Sequence, residues 1–141
     1  MRFLDCVFCA IVRGELPSYR VFENDRVVAF LDIRPVTAGH TLVVPRVHAA
    51  TLVDLPAAEV GPLFDAVRSL TGAVQRAYAA DGVNVLQANG AAAGQTVHHL
   101  HVHVVPRRSG DGLRMHIPSG PEAHDREAMQ AEASRIAAAL G

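Results

Sequence analysis

The sequence predicts an α+β fold: an antiparallel sheet of about five strands, one main helix and a C-terminal helix, in a single domain of 141 residues. Three features carry that expectation. Five short stretches have the apolar content or the alternation of strands. Two of them flank the polar turn Glu23-Asn24-Asp25-Arg26 and so form a hairpin. One long stretch, Asp54 to Ala80, repeats its apolar residues at three and four, the period of a helix.

Taken in order, Ile11 to Ser18 reads as a short helical turn ended by Gly14, then an extended entry through Pro17. Tyr19–Glu23 and Val27–Leu31 are the hairpin strands. Asp32 to His40 is a loop. Thr41–Pro45 is apolar along its length, which predicts a strand buried on both faces. The main helix carries a stripe of Val60, Leu63, Phe64, Val67, Leu70, Val74 and Tyr78, and Asp81-Gly82 ends it. Pro62 predicts either a start near Gly61 or a distorted first turn. The stripe is core or a contact with a second copy, and carries no chemistry. Val83–Asn89 is the fourth strand, and Gly90 to Thr96 is a small-residue loop. Pro118 to Pro121 is a breaker-rich linker, and Glu122–Leu140 is a packing helix with Met129, Ala133, Ile136 and Leu140 on a sparse apolar side.

The fifth strand holds the chemistry. In Gln95-Thr96-Val97-His98-His99-Leu100-His101-Val102-His103-Val104-Val105-Pro106, histidines 99, 101 and 103 alternate with apolar residues. A strand sends them to one face and Leu100, Val102 and Val104 to the other, with His98 on that opposite face. At about 3.3 Å per residue, neighbours in the row lie about 7 Å apart and the outer two about 13 Å apart. One metal ion takes two neighbours but hardly all three, so the row reads as separate jobs. A neutral imidazole, with a reference pKa of about 6.5, is a nucleophile at neutral pH. A neighbouring imidazolium binds an anion or protonates a leaving group. The preceding loop lets backbone N–H groups approach a phosphate. It is not a P-loop, because Gly-Lys-Ser/Thr is missing.

Composition excludes several classes. Half the residues are hydrophobic and the formal net charge is −1, so nothing suggests disorder, a duplex nucleic-acid partner or a membrane surface. All 13 basic residues are Arg. No apolar run approaches a membrane span, Met1 to Cys6 lacks a secretion signal, and a cytoplasmic protein is expected. Two cysteines are too few for a disulfide scaffold. Cys6-Val7-Phe8-Cys9 has the spacing of a redox pair, of a short local disulfide or of half a zinc site.

The row, preceded by Gly-Gln-Thr-Val and followed by Pro-Arg, resembles the histidine-triad family of nucleotide-binding proteins and hydrolases. The likeness extends through Ala29-Phe30-Leu31-Asp32-Ile33-x-Pro35 and Gly39-His40-Thr41-Leu42-Val43-Val44-Pro45-Arg46-x-His48, and covers about residues 6–108, leaving 109–141 as an extension. It implies a nucleotidyl hydrolase or transferase acting at the α-phosphorus of a purine nucleotide derivative: a phosphoramidate, a dinucleoside polyphosphate or adenylyl sulfate. By position, His101 is the nucleophile, His103 and Gln95 hold phosphate oxygens with loop N–H groups, Thr96 bonds phosphate or leaving group, and His99 positions the row or binds zinc. Phe8, Phe30 and Ile33 wall the base, Asp32 accepts from the ribose, and Gly94 belongs to the phosphate loop. The family's polar residue before that loop is Ala88 here, with Asn89 either a substitute or a residue that favours the turn. Arg107 and Arg108 are either phosphate contacts or solvated. The resemblance also implies a structural zinc on Cys6, Cys9, His48 and His99, no catalytic metal, and a homodimer. Two other classes compete: a nucleotide sensor whose hydrolysis is incidental, and a zinc-dependent hydrolase using His101 and His103.

Overall fold

The computed structural model describes residues 6–114 and 120–140. Met1 to Asp5, where a leader would begin, lie outside them, as does part of the linker expected at Pro118–Pro121. The chain forms two compact units, residues 1–111 and 112–141.

The first unit contains α1 (Val7–Val12), β1 (Arg20–Glu23), β2 (Val27–Leu31), β3 (Thr41–Pro45), α2 (Ala57–Ala77), β4 (Gly82–Leu86) and β5 (Val102–Arg107). All five strands join one antiparallel sheet in the order β1-β2-β3-β5-β4. The expected α+β class is therefore the observed one.

Both faces of the sheet are covered, and the alternation of each strand says by what. Val27 and Ala29 of β2, Val43 of β3 and Val102 and Val104 of β5 pack with Leu63, Val67, Leu70 and Val74 of α2. The residues between them, Val28, Phe30, Leu42 and Val44, pack with Phe8, Cys9 and Ile11 of α1. This is why Thr41–Pro45 is apolar without a break: all five residues are buried. The three triad histidines belong to the α1 face, and Leu100 lies in the α2 core.

Several boundaries differ from the sequence expectation, each for a local reason. The first helix begins earlier, at Val7, because Cys6 caps it: its Sγ accepts from Cys9 N–H at 3.3 Å. It ends in a Schellman motif, with Gly14 N–H on the Ile11 carbonyl and Glu15 N–H on the Ala10 carbonyl, and Gly14 at φ +78°. Helix α2 begins at Ala57 and runs through Pro62 without a break in assignment. The carbonyl that Pro62 leaves without a donor is that of Ala58, an exposed residue open to solvent. Its end comes at Ala77 rather than at Asp81-Gly82, because Ala79 takes the left-handed conformation at φ +46° and Gly82 is already in β4. The triad segment becomes a strand only at Val102, so His99 and His101 precede β5.

In the second unit, α3 (Arg126–Ala139) is capped by Asp125, whose side chain accepts from Ala128 N–H. No residue of α3 is buried, and Met129, Ile136 and Leu140 are exposed. Among the described residues, no helix is long and apolar enough to cross a membrane.

Candidate active site

A cavity of about 420 Å³ opens on the α1 face of the sheet. Phe8, Phe30, Leu42 and Ile33 give it apolar walls, and Asp32, Thr96, His101 and His103 give it polar groups. Strand register makes part of the floor: Phe30 pairs with Leu42, and Leu42 with His103. Phe8 stands edge-on to His101, with ring centroids 5.2 Å apart, and edge-on to Phe30 at 5.4 Å.

The three triad histidines do not all carry their protons on the same atom, and their partners decide which. The ring Nε2 of His99 lies 2.9 Å from the Pro45 carbonyl, so it donates there and leaves Nδ1 as a lone pair. His101 is reversed. Its Nδ1 donates to the His99 carbonyl at 2.8 Å, which leaves the Nε2 lone pair on a ring that lines the cavity. The third case, His103, depends on His40. Val36 N–H donates to His40 Nδ1 at 3.1 Å, so His40 carries its proton on Nε2. That proton is given to His103 Nδ1 at 2.9 Å, and Asp32 Oδ2 stands 3.5 Å from the same His40 nitrogen. His103 therefore keeps its own proton on Nε2, as a donor.

Burial shifts His103 and His40 toward the neutral form. The pKa of His103 is pushed down to about 4, first by burial and then by His101 and His40, with Asp32 opposing. That of His40 also falls by burial, again against Asp32. His103 is thus a neutral N–H donor in this state, not the imidazolium the sequence suggested as an alternative.

His99 belongs to a second cluster beneath α1. Its Nδ1 lies 3.5 Å from both Cys6 Sγ and Cys9 Sγ, and His48 Nδ1 lies 3.3 Å from Cys9 Sγ. One ligand atom from each of Cys6, Cys9, His48 and His99 falls within 4.8 Å of every other. Both cysteines are free thiols, and burial pushes Cys9 up to about 11. His99 is pushed down to about 4 by burial, against the Pro45 bond. Two sulfurs, two imidazole nitrogens and a carbonyl that fixes the His99 tautomer fit a closed tetrahedral metal site.

Asp32, His40 and His103 also bring donor atoms within 4.8 Å of one another. A metal there would need a lone pair on His40 Nε2, and the Val36 N–H puts the proton on that atom. The group fits a hydrogen-bonded chain, not a metal site. A zinc hydrolase on His101 and His103 meets a similar obstacle at His103, whose Nδ1 lone pair is taken by His40 and whose proton sits on Nε2.

Of the predicted nucleotide contacts, Phe8, Phe30, Asp32, Ile33, Thr96, His101 and His103 line the cavity. Asn89, Gly94 and Gln95 do not. Gln95 is buried and fully committed: Oε1 accepts from Gly90 N–H, and Nε2 donates to the Ala50 and Val97 carbonyls. It clamps the loop and is not free to hold phosphate. Asn89 accepts from Leu52 N–H and is paired with Gln87. The N–H groups of Ala93, Gly94 and Gln95 bond within the loop. Arg107 is held by Asp111 and Asn84, and Arg108 by the Tyr78 carbonyl, so neither is a cavity residue. His98 is exposed. His40 was missed as a site residue. Its signal was present in Gly39-His40-Thr41, but spacing alone does not show a contact across sixty-three positions.

Comparison with known proteins places this arrangement. The HIT domain family matches residues 13–110. The chain belongs to the HIT family. The crystal structure of a HIT family member from Bacillus subtilis superposes with a TM-score of 0.91 at 36% identity, covering 97% of this chain and 98% of that one. Adenosine 5'-monophosphoramidase HNT1 of Candida albicans is 36% identical over 107 residues, 73% of this chain and 70% of its own length. A Zn-bound histidine triad family protein from Mycobacterium smegmatis superposes with a TM-score of 0.75 at 39% identity, covering 98% of this chain and 99% of that one.

Proposed function

We propose that this HIT protein is a nucleotidyl hydrolase or transferase that cleaves at the α-phosphorus of a purine nucleotide derivative through a nucleotidyl-His101 intermediate. The observation that carries this reading is the His101 tautomer. Its Nδ1–H is held by the His99 carbonyl at 2.8 Å, and the ring lines the cavity. A neutral nitrogen nucleophile is thereby oriented before substrate arrives.

The steps balance as follows. His101 Nε2 attacks the α-phosphorus, a P–N bond forms, and the bond from phosphorus to the leaving amine or oxyanion breaks. The His103 Nε2–H and the Thr96 hydroxyl are the cavity donors for the phosphoryl oxygens and the departing group. Water then attacks phosphorus and gives up a proton that replaces the one taken by the departing group, the P–Nε2 bond breaks, and a nucleoside monophosphate leaves. Phe8, Phe30 and Ile33 flank the base, and Asp32 accepts from the ribose hydroxyls. Gln95 acts by shaping the loop ahead of Thr96 rather than by touching phosphate.

Cys6, Cys9, His48 and His99 would hold a structural zinc. Bound there, zinc would cross-link α1 to the triad segment and take no part in the phosphoryl chemistry. A second copy of the chain is the proposed protein partner. Exposed Val85 and Leu86 on edge strand β4, with Val60 and Phe64 on α2, support a homodimer.

The test is to mix the protein with α-labelled nucleoside phosphoramidate, dinucleoside polyphosphate and adenylyl sulfate, then quench and isolate the protein. Label on the wild type and none on His101→Ala supports the intermediate. Full turnover by His101→Ala would overturn it, and tight binding with negligible rates across the panel would favour a sensor.

A further inference from the structure

One cation faces the cavity without a partner. Arg34 lines it, and among the described residues its guanidinium meets no carboxylate and no carbonyl. Arg13, Arg46 and Arg107 of this unit are paired with Glu15, Glu23 and Asp111, whereas Arg34 is the arginine at the cavity. Only the backbone N–H of Arg34 is committed, to Asp32 Oδ1 at 2.8 Å. That bond fixes where the side chain starts and leaves its donors unspent.

Topology says which end of a ligand Arg34 would meet. His103, Leu42 and Phe30 lie in register across β5, β3 and β2. The Phe30 end of the cavity is therefore two strand spacings, about 10 Å, from the histidine row, while the Asp32 carboxylate reaches back to within 4.8 Å of a His103 ring nitrogen. Arg34 follows β2, three residues after Leu31. The other polar groups on this side are Asp32 and Ser18, the latter just before β1, where its neighbour Tyr19 accepts from Leu31 N–H at 3.0 Å. Everything else there, Phe8, Leu16, Pro17, Phe30 and Ile33, is apolar. With phosphorus at His101 and ribose at Asp32, this end is the base end. The premise is the nucleotide reading given above.

We propose that Arg34 reads the base and favours a 6-oxopurine over a 6-aminopurine. A guanidinium has five donors and no acceptor. Guanine offers two acceptors, O6 and N7, side by side on one edge, and a guanidinium matches both. Adenine offers N7 beside an amino group, which sets donor against donor. The rest of the base end is shape-selective and apolar, and does not distinguish the two.

The experiment is calorimetric titration of the full chain with guanosine, adenosine, GMP and AMP, for the wild type, Arg34→Ala and Arg34→Lys. Wild type binds guanosine and GMP about tenfold more tightly than their adenine counterparts. Arg34→Ala brings both ratios close to one, and Arg34→Lys does not restore them, because a point charge lacks the fork. Absence of a guanine preference in the wild type overturns the assignment. So does an Arg34→Ala loss that is equal for GMP and AMP and absent for the nucleosides, since that marks a phosphate contact. The hydrolase reading fails separately: a guanine preference without turnover of guanosine 5′-phosphoramidate would retire the chemistry and keep the base contact.

Discussion

His99 and His101 stand two residues apart in one motif, and the regions they enter have little in common. Around His99 everything is closed: the residue has 0% exposure, its Nε2 is held by Pro45, and its Nδ1 faces two thiols. Around His101 one side is closed by the His99 carbonyl and the other is the cavity wall. The imidazole is the same; the atom left with a lone pair is not. A backbone carbonyl chooses it in each case, so the chain assigns one ring to ligation and the next to attack by choosing which nitrogen to tie down.

The largest effect should come from removing the ring on the open side. His101→Ala should lower turnover by on the order of 10⁴-fold while far-UV circular dichroism and melting stay close to wild type. A loss of under tenfold would mean that another group attacks phosphorus. Next come the residues that set the donor. His103→Ala should cost about 10² to 10³ in kcat, the range for a lost transition-state donor. His40→Ala touches no substrate, yet it frees His103 to take the other tautomer. It should cost about 10², mostly in kcat, and change the acid limb of the pH–rate profile. An effect confined to KM would refute the positioning role.

The closed side predicts the opposite pattern. Cys9→Ser should abolish stoichiometric zinc by metal analysis and lower the melting temperature of zinc-loaded protein, because metal binding is coupled to folding. Its turnover should remain within about tenfold of wild type, since the His101 carbonyl partner is backbone. A collapse of kcat in a folded, zinc-free variant would join the two regions into one functional unit.

Much of this division was legible in the chain, but not its mechanism. Alternation placed the three histidines on one face, and that holds although the strand begins only at Val102. The apolar run Thr41–Pro45 announced a strand with two covered faces. Tautomers were not legible, because they depend on Pro45, Val36 and His40, residues that approach only when β3 and β5 pair. Gln95 misled for a related reason. Next to a phosphate loop an amide suggests a ligand contact, and only the folded chain shows that Gly90, Ala50 and Val97 use up its bonds. The end of α2 was misplaced because Gly82 looked like the stop, while Ala79 accepts a left-handed conformation that sequence does not advertise.

Acid should weaken the metal-free protein through the same buried rings. In the folded state the pKa of His103 is lowered to about 4, against an ordinary value of 6.5, with burial the main cause. The unfolded chain therefore binds the proton more tightly. Stability should be flat above about pH 6.5 and fall as pH drops toward 4, where the folded form also takes it. Melting curves between pH 8 and 4.5 should show this as a drop on the order of 5 °C or more, partly removed in His103→Asn. A melting temperature that rose on acidification would show that the ring is charged in the fold.

The smallest effect expected tests how the chain aims His40 in the first place. Gly39 precedes it at φ +91°, and a Cβ built there would clash with the Tyr78 ring. Two costs follow for Gly39→Ala: the strain of a left-handed alanine, about 1–3 kcal/mol, and the displacement of Tyr78. Tyr78→Ala removes the second cost and not the first, so the double variant should recover part of the lost melting temperature. If the loop yields instead of Tyr78, His40 moves, and kcat falls along with stability. Measuring both in Gly39→Ala separates these cases. A drop in melting temperature with unchanged kcat places the strain at the α2 end, and a fall in kcat that Tyr78→Ala reverses traces the aim of His103 to the packing of one tyrosine against one glycine.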